Sequence, residues 1–226
     1  MDALDRRALR GSIIGNAVFF ALIFGPAGTL DYWQGWAFFL TLALSTALVT
    51  LYMARHDRQL LERRLRMGPK AEKTQVQKII LGVSAAVYPI AFIIMVLDHR
   101  FGWSPAVPAW LSLVCDGLGA LGLYIYFLVV RENHYAAATV EVREGQTVVS
   151  TGPYAIVRHP MYSGAILVLL AAPVALGSWW GLIFTPLFVL SFAWRLLNEE
   201  RYLAENLPGY TQYIRKMRYR LLPYLW

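Results

Sequence analysis

One cysteine, Cys115, stands in the whole chain, and charged residues make up only 15% of it. A single thiol excludes an internal disulfide framework and a cysteine-rich zinc site. So few charges exclude a disordered chain and fit poorly with an ordinary soluble domain, in which about a quarter of residues are charged. There is no internal repeat, phosphate-binding loop, dinucleotide fingerprint or zinc-protease motif. What the 226 residues hold instead is apolar, at 58% hydrophobic. The net charge of +7 would suit a nucleic-acid binder, but no nucleic-acid module accompanies it, and the positions of the charges point elsewhere.

Residues 11–30, 32–54, 79–97 and 161–194 carry no formal charge, and 109–130 is interrupted only by Asp116. About 20 apolar residues cross a bilayer core. The pattern predicts six membrane segments at 12–30, 34–53, 79–97, 109–130, 162–176 and 179–197, the last two parted at Gly177-Ser178. Buried helices of a soluble protein would leave too few polar faces to dissolve the chain. The fifth segment is short, roughly 22 Å as a helix, so it is expected either to tilt little or not to cross fully. The predicted fold class is an all-α polytopic membrane protein forming one integrated domain. Residues 1–130 supply N-terminal segments with a basic loop at 54–78, and 131–226 form a C-terminal catalytic region around a hairpin at 162–197. Twenty of the 21 lysines and arginines fall on one side of this arrangement, and only Arg100 falls on the other. The positive-inside rule then puts both termini in the cytoplasm, in an inner membrane or an endomembrane, with membrane lipids as partners.

Several residues have simple readings. Tyr32, Trp33, Trp36, Trp103, Trp110, Trp179 and Trp180 flank apolar segments and suit the headgroup depth. Leu61 and Leu65 share a helical face in the basic stretch, which is expected to lie along the interface and to break at Gly68-Pro69. Asp98-His99 begins a loop that runs to Pro108 and offers too few ligands for a metal. Asp116, inside an apolar segment, calls for a structural hydrogen bond. Cys115 reads as a small core residue.

Polar chemistry gathers after residue 130. Arg131 to Tyr135 leaves the fourth segment, Gly152-Pro153-Tyr154 marks a turn, and Arg158 to Gly164 opens the fifth segment. Asn198 to Tyr202 closes the hairpin. A hairpin returns its exit to the level of its entrance, so Arg158 and His159 are expected near Glu199 and Glu200.

These residues carry a family likeness. Gly152-Pro153-Tyr154, Arg158-His159-Pro160-Met161-Tyr162 with Gly164, and then Glu199-Glu200, Leu203, Tyr210 and Tyr213 resemble the isoprenylcysteine carboxyl methyltransferase family of membrane enzymes. That broader group includes phospholipid N-methyltransferases. The matching core runs over roughly 133–223, under half of the chain. The resemblance implies S-adenosyl-L-methionine as cofactor, bound on the cytoplasmic side, with no metal. It implies cofactor contacts from His159, Tyr162, the backbone of Gly152, Pro153 and Tyr154, and one member of the Glu199-Glu200 pair. Arg158 matches the arginine that positions the substrate carboxylate in the isoprenylcysteine enzymes, and the resemblance implies methyl transfer to the carboxylate of a lipophilic small molecule or prenylated acceptor. Lys216 to Arg220 departs from the Val-Pro step of the isoprenylcysteine enzymes. Three alternatives therefore stay open: N-methylation of a phospholipid or other small amine, a sterol-reductase-like use of NADPH, and a non-enzymatic membrane scaffold.

Overall fold

The computed structural model describes residues 2–66, 68, 72 and 74–226. Among these the regular structure is helical: α1 (Ala3–Ala27), α2 (Trp33–His56), α3 (Arg58–Arg64), α4 (Gln75–Phe101), α5 (Ala109–Glu132), α6 (Pro160–Ala175), α7 (Thr185–Asn206) and α8 (Tyr210–Lys216). A 3-10 turn at Trp180–Phe184 leads directly into α7. Five stretches are long and apolar enough to cross a membrane: α1, α2, α4, α5 and Trp180–Asn206. The remaining expected segment is α6, an apolar helix of only 16 residues.

Helix ends differ from the sequence expectation where polar residues extend an apolar run. The first helix begins at Ala3 and not near residue 12, because Asp2 and Asp5 form a reciprocal cap (Asp5 N to Asp2 Oδ1 2.9 Å, Asp2 N to Asp5 Oδ2 3.2 Å). The hairpin expected over 162–197 runs from Pro160 to Asn206, about two and a half turns further into polar sequence. The basic stretch after α2 turns Leu60 and Leu61 inward, against Val49, Met53, Val129 and Val130, which fixes α3 to the bundle. The expected break lies only partly within view: Gly68 has a positive φ, and Pro69 lies outside the described residues.

The short helix α6 creates the site by its position. It packs antiparallel to α5 at a crossing where both residues must be glycine. A Cβ on Gly164 would sit 2.5 Å from the Gly122 carbonyl oxygen, and one on Gly122 would sit 2.5 Å from that of Gly164. Beyond the crossing α5 continues ten residues to Glu132, about 15 Å, while α6 reaches back only four to Pro160, about 6 Å. At the other end the two helices finish level, where Ser112 Oγ donates to the Val174 carbonyl at 3.0 Å. The whole shortfall of α6 therefore falls at one end and leaves a recess about 9 Å deep.

The opposite end is tied by Asp98, which is buried in the last turn of α4 and does not open a loop as the sequence suggested. Its carboxylate accepts from Ser104 N (2.8 Å), Ser104 Oγ (2.8 Å), Ser178 Oγ (2.6 Å) and Trp180 N (3.2 Å), joining α4 to the hairpin turn. Tyr32 is likewise buried and is not an interfacial anchor; its hydroxyl donates to the Leu176 carbonyl at 2.5 Å. Both residues sit at segment ends, where a sequence cannot distinguish an outward side chain from one folded back. Asp98→Ala would strand the donors of three residues, of which Ser178 is fully buried, and a cost of about 3 kcal/mol is expected. Thermal unfolding in detergent would measure it, with Asp98→Asn recovering part because it keeps an acceptor oxygen. Asp116 makes the structural bond expected of it, accepting from Thr41 Oγ1 at 2.8 Å.

Candidate active site

A cavity of about 320 Å³ occupies the recess. Its walls come from α4, α6, α7 and α8, from Arg64 at the end of α3, and from the connection between α5 and α6. Arg158 and His159 stand just before Pro160, the first residue of α6, where proline is favoured because its missing N–H has no partner to lose. Their backbone amides instead donate sideways, Arg158 N to the Tyr219 carbonyl and His159 N to the Arg220 carbonyl, both at 2.9 Å. Ser163 Oγ adds a bond to the Leu221 carbonyl at 2.6 Å. The segment Tyr219–Leu221 is thus clamped along the mouth of α6, and it delivers Arg220.

Glu200 of α7 receives all three side chains. Its Oε1 lies 2.8 Å from Arg158 Nε and 3.2 Å from His159 Nε2, and its Oε2 lies 3.0 Å from Arg220 Nε. The carboxylate is 7% exposed. The Arg158 Nε–H does not point at it, so that contact is Coulombic and leaves Nε without a hydrogen-bond partner.

Glu199 follows a different path. One residue earlier on the helix turns it about 100° away, onto the cavity wall. There Tyr162 OH donates to its Oε2 at 2.5 Å. Tyr162 OH in turn accepts from Arg195 Nε at 3.0 Å. Arg195 also donates to Gln77 Oε1 (2.8 Å), Glu72 Oε1 (2.8 Å) and the Ala138 carbonyl (3.1 Å). The second Glu72 oxygen accepts from Val140 N at 3.2 Å. This buried chain of bonds fixes Tyr162, and through it the orientation of Glu199.

The Gly152-Pro153-Tyr154 turn is a single 3-10 turn, Gly152–Ala155. Gly152 has φ 57°, and a Cβ there would lie 2.9 Å from the Glu132 carboxyl carbon. Gly152 and Pro153 shape the turn; Tyr154 is the member that lines the cavity. Its hydroxyl accepts from Asn133 Nδ2 at 2.8 Å, and its carbonyl accepts from Tyr213 OH at 2.8 Å. Burial pushes the Tyr154 phenol up to about 12. The Tyr210 phenol is raised by burial and then by the Glu200 and Glu199 carboxylates, and the Tyr213 phenol is raised by burial and then by Tyr154. These phenols stay protonated at neutral pH and serve as hydrogen-bonding groups, not bases. The stabilisation linked to Tyr154 is complete below its unfolded value of 10.0 and is lost as pH rises through about 12.

The structure therefore brings Arg158, His159, Tyr162, Glu199 and Tyr154 to one cavity, with Glu200 buried behind it. Sequence reasoning missed Glu72 and Gln77, and read Arg64, Arg195 and Arg220 only as orientation signals. Arg195 carried a usable signal, being an ionisable residue within an apolar helix. Tyr210 and Tyr213 are buried on the cavity wall. Three buried atoms of wall residues lack a hydrogen-bond partner: Tyr210 OH, Arg158 Nε and Arg64 Nε. Each carries a proton to donate. Among the described residues no group of three or more His, Cys, Asp or Glu side chains is placed to hold a metal ion.

The chain is similar to the cobalt-zinc-cadmium resistance protein CzcN of Cupriavidus metallidurans, with 28% identity over 134 residues. That match takes in 58% of this chain and spans 59% of the relative's length. Residues 111–208, which run from α5 through α7 and carry Tyr154, Arg158, His159, Tyr162, Glu199 and Glu200, match the phospholipid methyltransferase family, whose relatives are the isoprenylcysteine carboxyl methyltransferases that the motifs resemble.

Proposed function

We propose that this protein transfers a methyl group from S-adenosyl-L-methionine to the carboxylate of a lipophilic acceptor, using the recess at the mouth of α6. The observation that carries this reading is a cavity that joins unpartnered donors to the Glu199 carboxylate on its wall. The donor molecule has a cationic sulfonium and ammonium, an anionic carboxylate and ribose hydroxyls. Glu199 complements the positive groups, Arg158 and Tyr210 offer protons to the oxygens, and the Tyr154 and Tyr162 rings supply flat apolar contact. The cavity volume falls within the range of roughly 300–1,000 Å³ common for small-molecule sites.

When bound, S-adenosyl-L-methionine supplies an electrophilic methyl on sulfur and departs as a neutral thioether. The acceptor carboxylate is already nucleophilic: one of its oxygens forms the new C–O bond as the C–S bond breaks, and no proton has to move. The chain's part is to hold both groups in line and to exclude water. The limb of the cavity between α4 and α7 suits an acceptor tail, with Ile80, Leu81 and Phe192 as its apolar contacts. Ile80, Ser84 and Tyr88 line it at four-residue spacing along about 12 Å of α4, opposite Ser191 and Phe192 of α7. With both termini and the recess cytoplasmic, the acceptor enters from the bilayer and the cofactor from water. Tags at either terminus should be equally accessible in inside-out vesicles, and opposite sidedness would defeat this topology.

The family match favours a second reading, N-methylation of a phospholipid amine. An amine must shed a proton, whereas His159 Nε2 is already engaged by Glu200. Labelled donor supplied with a prenylcysteine analogue or with membrane extract separates the two readings, since a methyl ester is base-labile and an N-methyl lipid is base-stable. Calorimetry should show S-adenosyl-L-methionine binding, weakened about tenfold or more in Glu199→Gln as a charge-assisted contact is lost. Binding of NADPH alone would replace methyl transfer with a reductase, and binding of neither would leave a scaffold.

A further inference from the structure

Arg64 differs from the other arginines that line the cavity. Arg158 has Glu200 and Arg195 has Glu72, each 2.8 Å away. Arg64 lies outside the family match, on α3, and its contacts are of another kind. Its Nη2 donates to Met161 Sδ at 3.0 Å, its guanidinium carbon sits 5.1 Å from the Tyr126 ring centroid, and its Nε is buried without a hydrogen-bond partner. A thioether is a weak acceptor, and an aromatic face offsets only part of a guanidinium's charge. No carboxylate pairs with Arg64 among the described residues. Its place is nonetheless fixed, because Leu60 and Leu61 anchor α3 in the core and Met161 belongs to the first turn of α6. A positioned, partly desolvated arginine without a counter-ion matches an anion that arrives with a ligand.

We propose that Arg64 is the acceptor's anion receptor: it takes the carboxylate of the lipophilic acceptor with a guanidinium that has no carboxylate of its own, whereas Arg158 already faces Glu200. This rests on the methyl-transfer reading for the identity of the acceptor. It adds a specificity-determining residue from the first half of the chain. Arg64 then sets the preference for a charged end group, so that acceptors with a neutral end group are rejected at α3.

The test uses the full chain in lipid nanodiscs and measures binding, not turnover. The probes are an S-prenylcysteine with a free carboxylate and the same molecule as its carboxamide. Wild type should prefer the carboxylate by about tenfold to a hundredfold, as expected for one charge-assisted bond. Arg64→Gln should abolish that preference while leaving carboxamide and S-adenosylhomocysteine affinity unchanged, and Arg64→Lys should restore part of it. A merely structural role would weaken all three ligands together. The inference is overturned by an intact preference in Arg64→Gln, by no preference or no binding in wild type, or by weakened S-adenosylhomocysteine binding with the preference retained. Failure of the wild type to methylate a probe that it binds with this preference would defeat the proposed function and leave the receptor role of Arg64 standing.

Discussion

Glu200→Gln is expected to destabilise the protein by about 3–5 kcal/mol, the range for removing one partner from a buried ionic cluster. The substitution keeps the side chain's shape and withdraws its charge. Arg158, His159 and Arg220 then face one another with no anion between them, in a place where Glu200 is 7% exposed and Arg158 5%. The consequence extends beyond electrostatics. Arg220 sits in the segment whose carbonyls hold the Arg158 and His159 amides, so its repulsion pulls the Tyr219–Leu221 clamp away from α6. Cofactor affinity should fall along with the thermal midpoint. Glu199→Gln is the control: its recorded partner is a neutral hydroxyl, so it should lose cofactor affinity with little loss of stability. The reverse pattern, a stable Glu200→Gln and an unstable Glu199→Gln, would mean that the two carboxylates have exchanged roles. In the double variant Glu200→Gln with Arg220→Gln, part of the loss should return, because one of the two unpaired guanidinium charges is removed.

That division of labour was hidden in the sequence for a definite physical reason. Two adjacent residues on a helix point about 100° apart, and which one meets the cavity depends on how the helix is rotated about its own axis. Tyr162 and Arg195 fix that rotation for α7, and neither bond can be read from spacing. The apolar segments were legible because a charge inside a bilayer is costly, which keeps charges at the segment ends. The meeting of Arg158 and His159 with the glutamate pair was legible too, since it needs only a hairpin. The depth of the site was not: it depends on where α6 crosses α5, and Gly122 and Gly164 reveal that crossing only once paired in space. Arg64 was counted among basic residues facing the headgroups, and only the inward turn of Leu60 and Leu61 brings it to the cavity.

Arg195→Ala should match Glu200→Gln in severity, by a different route. Arg195 joins four parts of the chain: Glu72 ahead of α4, Gln77 in its first turn, Ala138 in the connection after α5, and Tyr162 in α6. Its loss strands the Glu72 carboxylate, whose side chain is fully buried, at a cost of about 3–5 kcal/mol. Arg195→Lys restores a charge for Glu72, but an ammonium has no planar fork with which to reach Gln77, Ala138 and Tyr162 as well. The lysine variant should therefore fold and still bind cofactor more weakly, because Tyr162 loses its donor and Glu199 loses its fixed orientation. Trypsin should cut faster after Arg143, in the connection that Arg195 holds through Ala138 and, by way of Glu72, Val140. The double variant Glu72→Gln with Arg195→Met separates fold from function. Replacing a buried ion pair with neutral groups of similar size is often tolerated, so its thermal midpoint should recover toward wild type. Its cofactor affinity should stay low, since methionine cannot donate to Tyr162. Recovery of both would make Arg195 purely structural and would remove Tyr162 from the chain of contacts that orients Glu199.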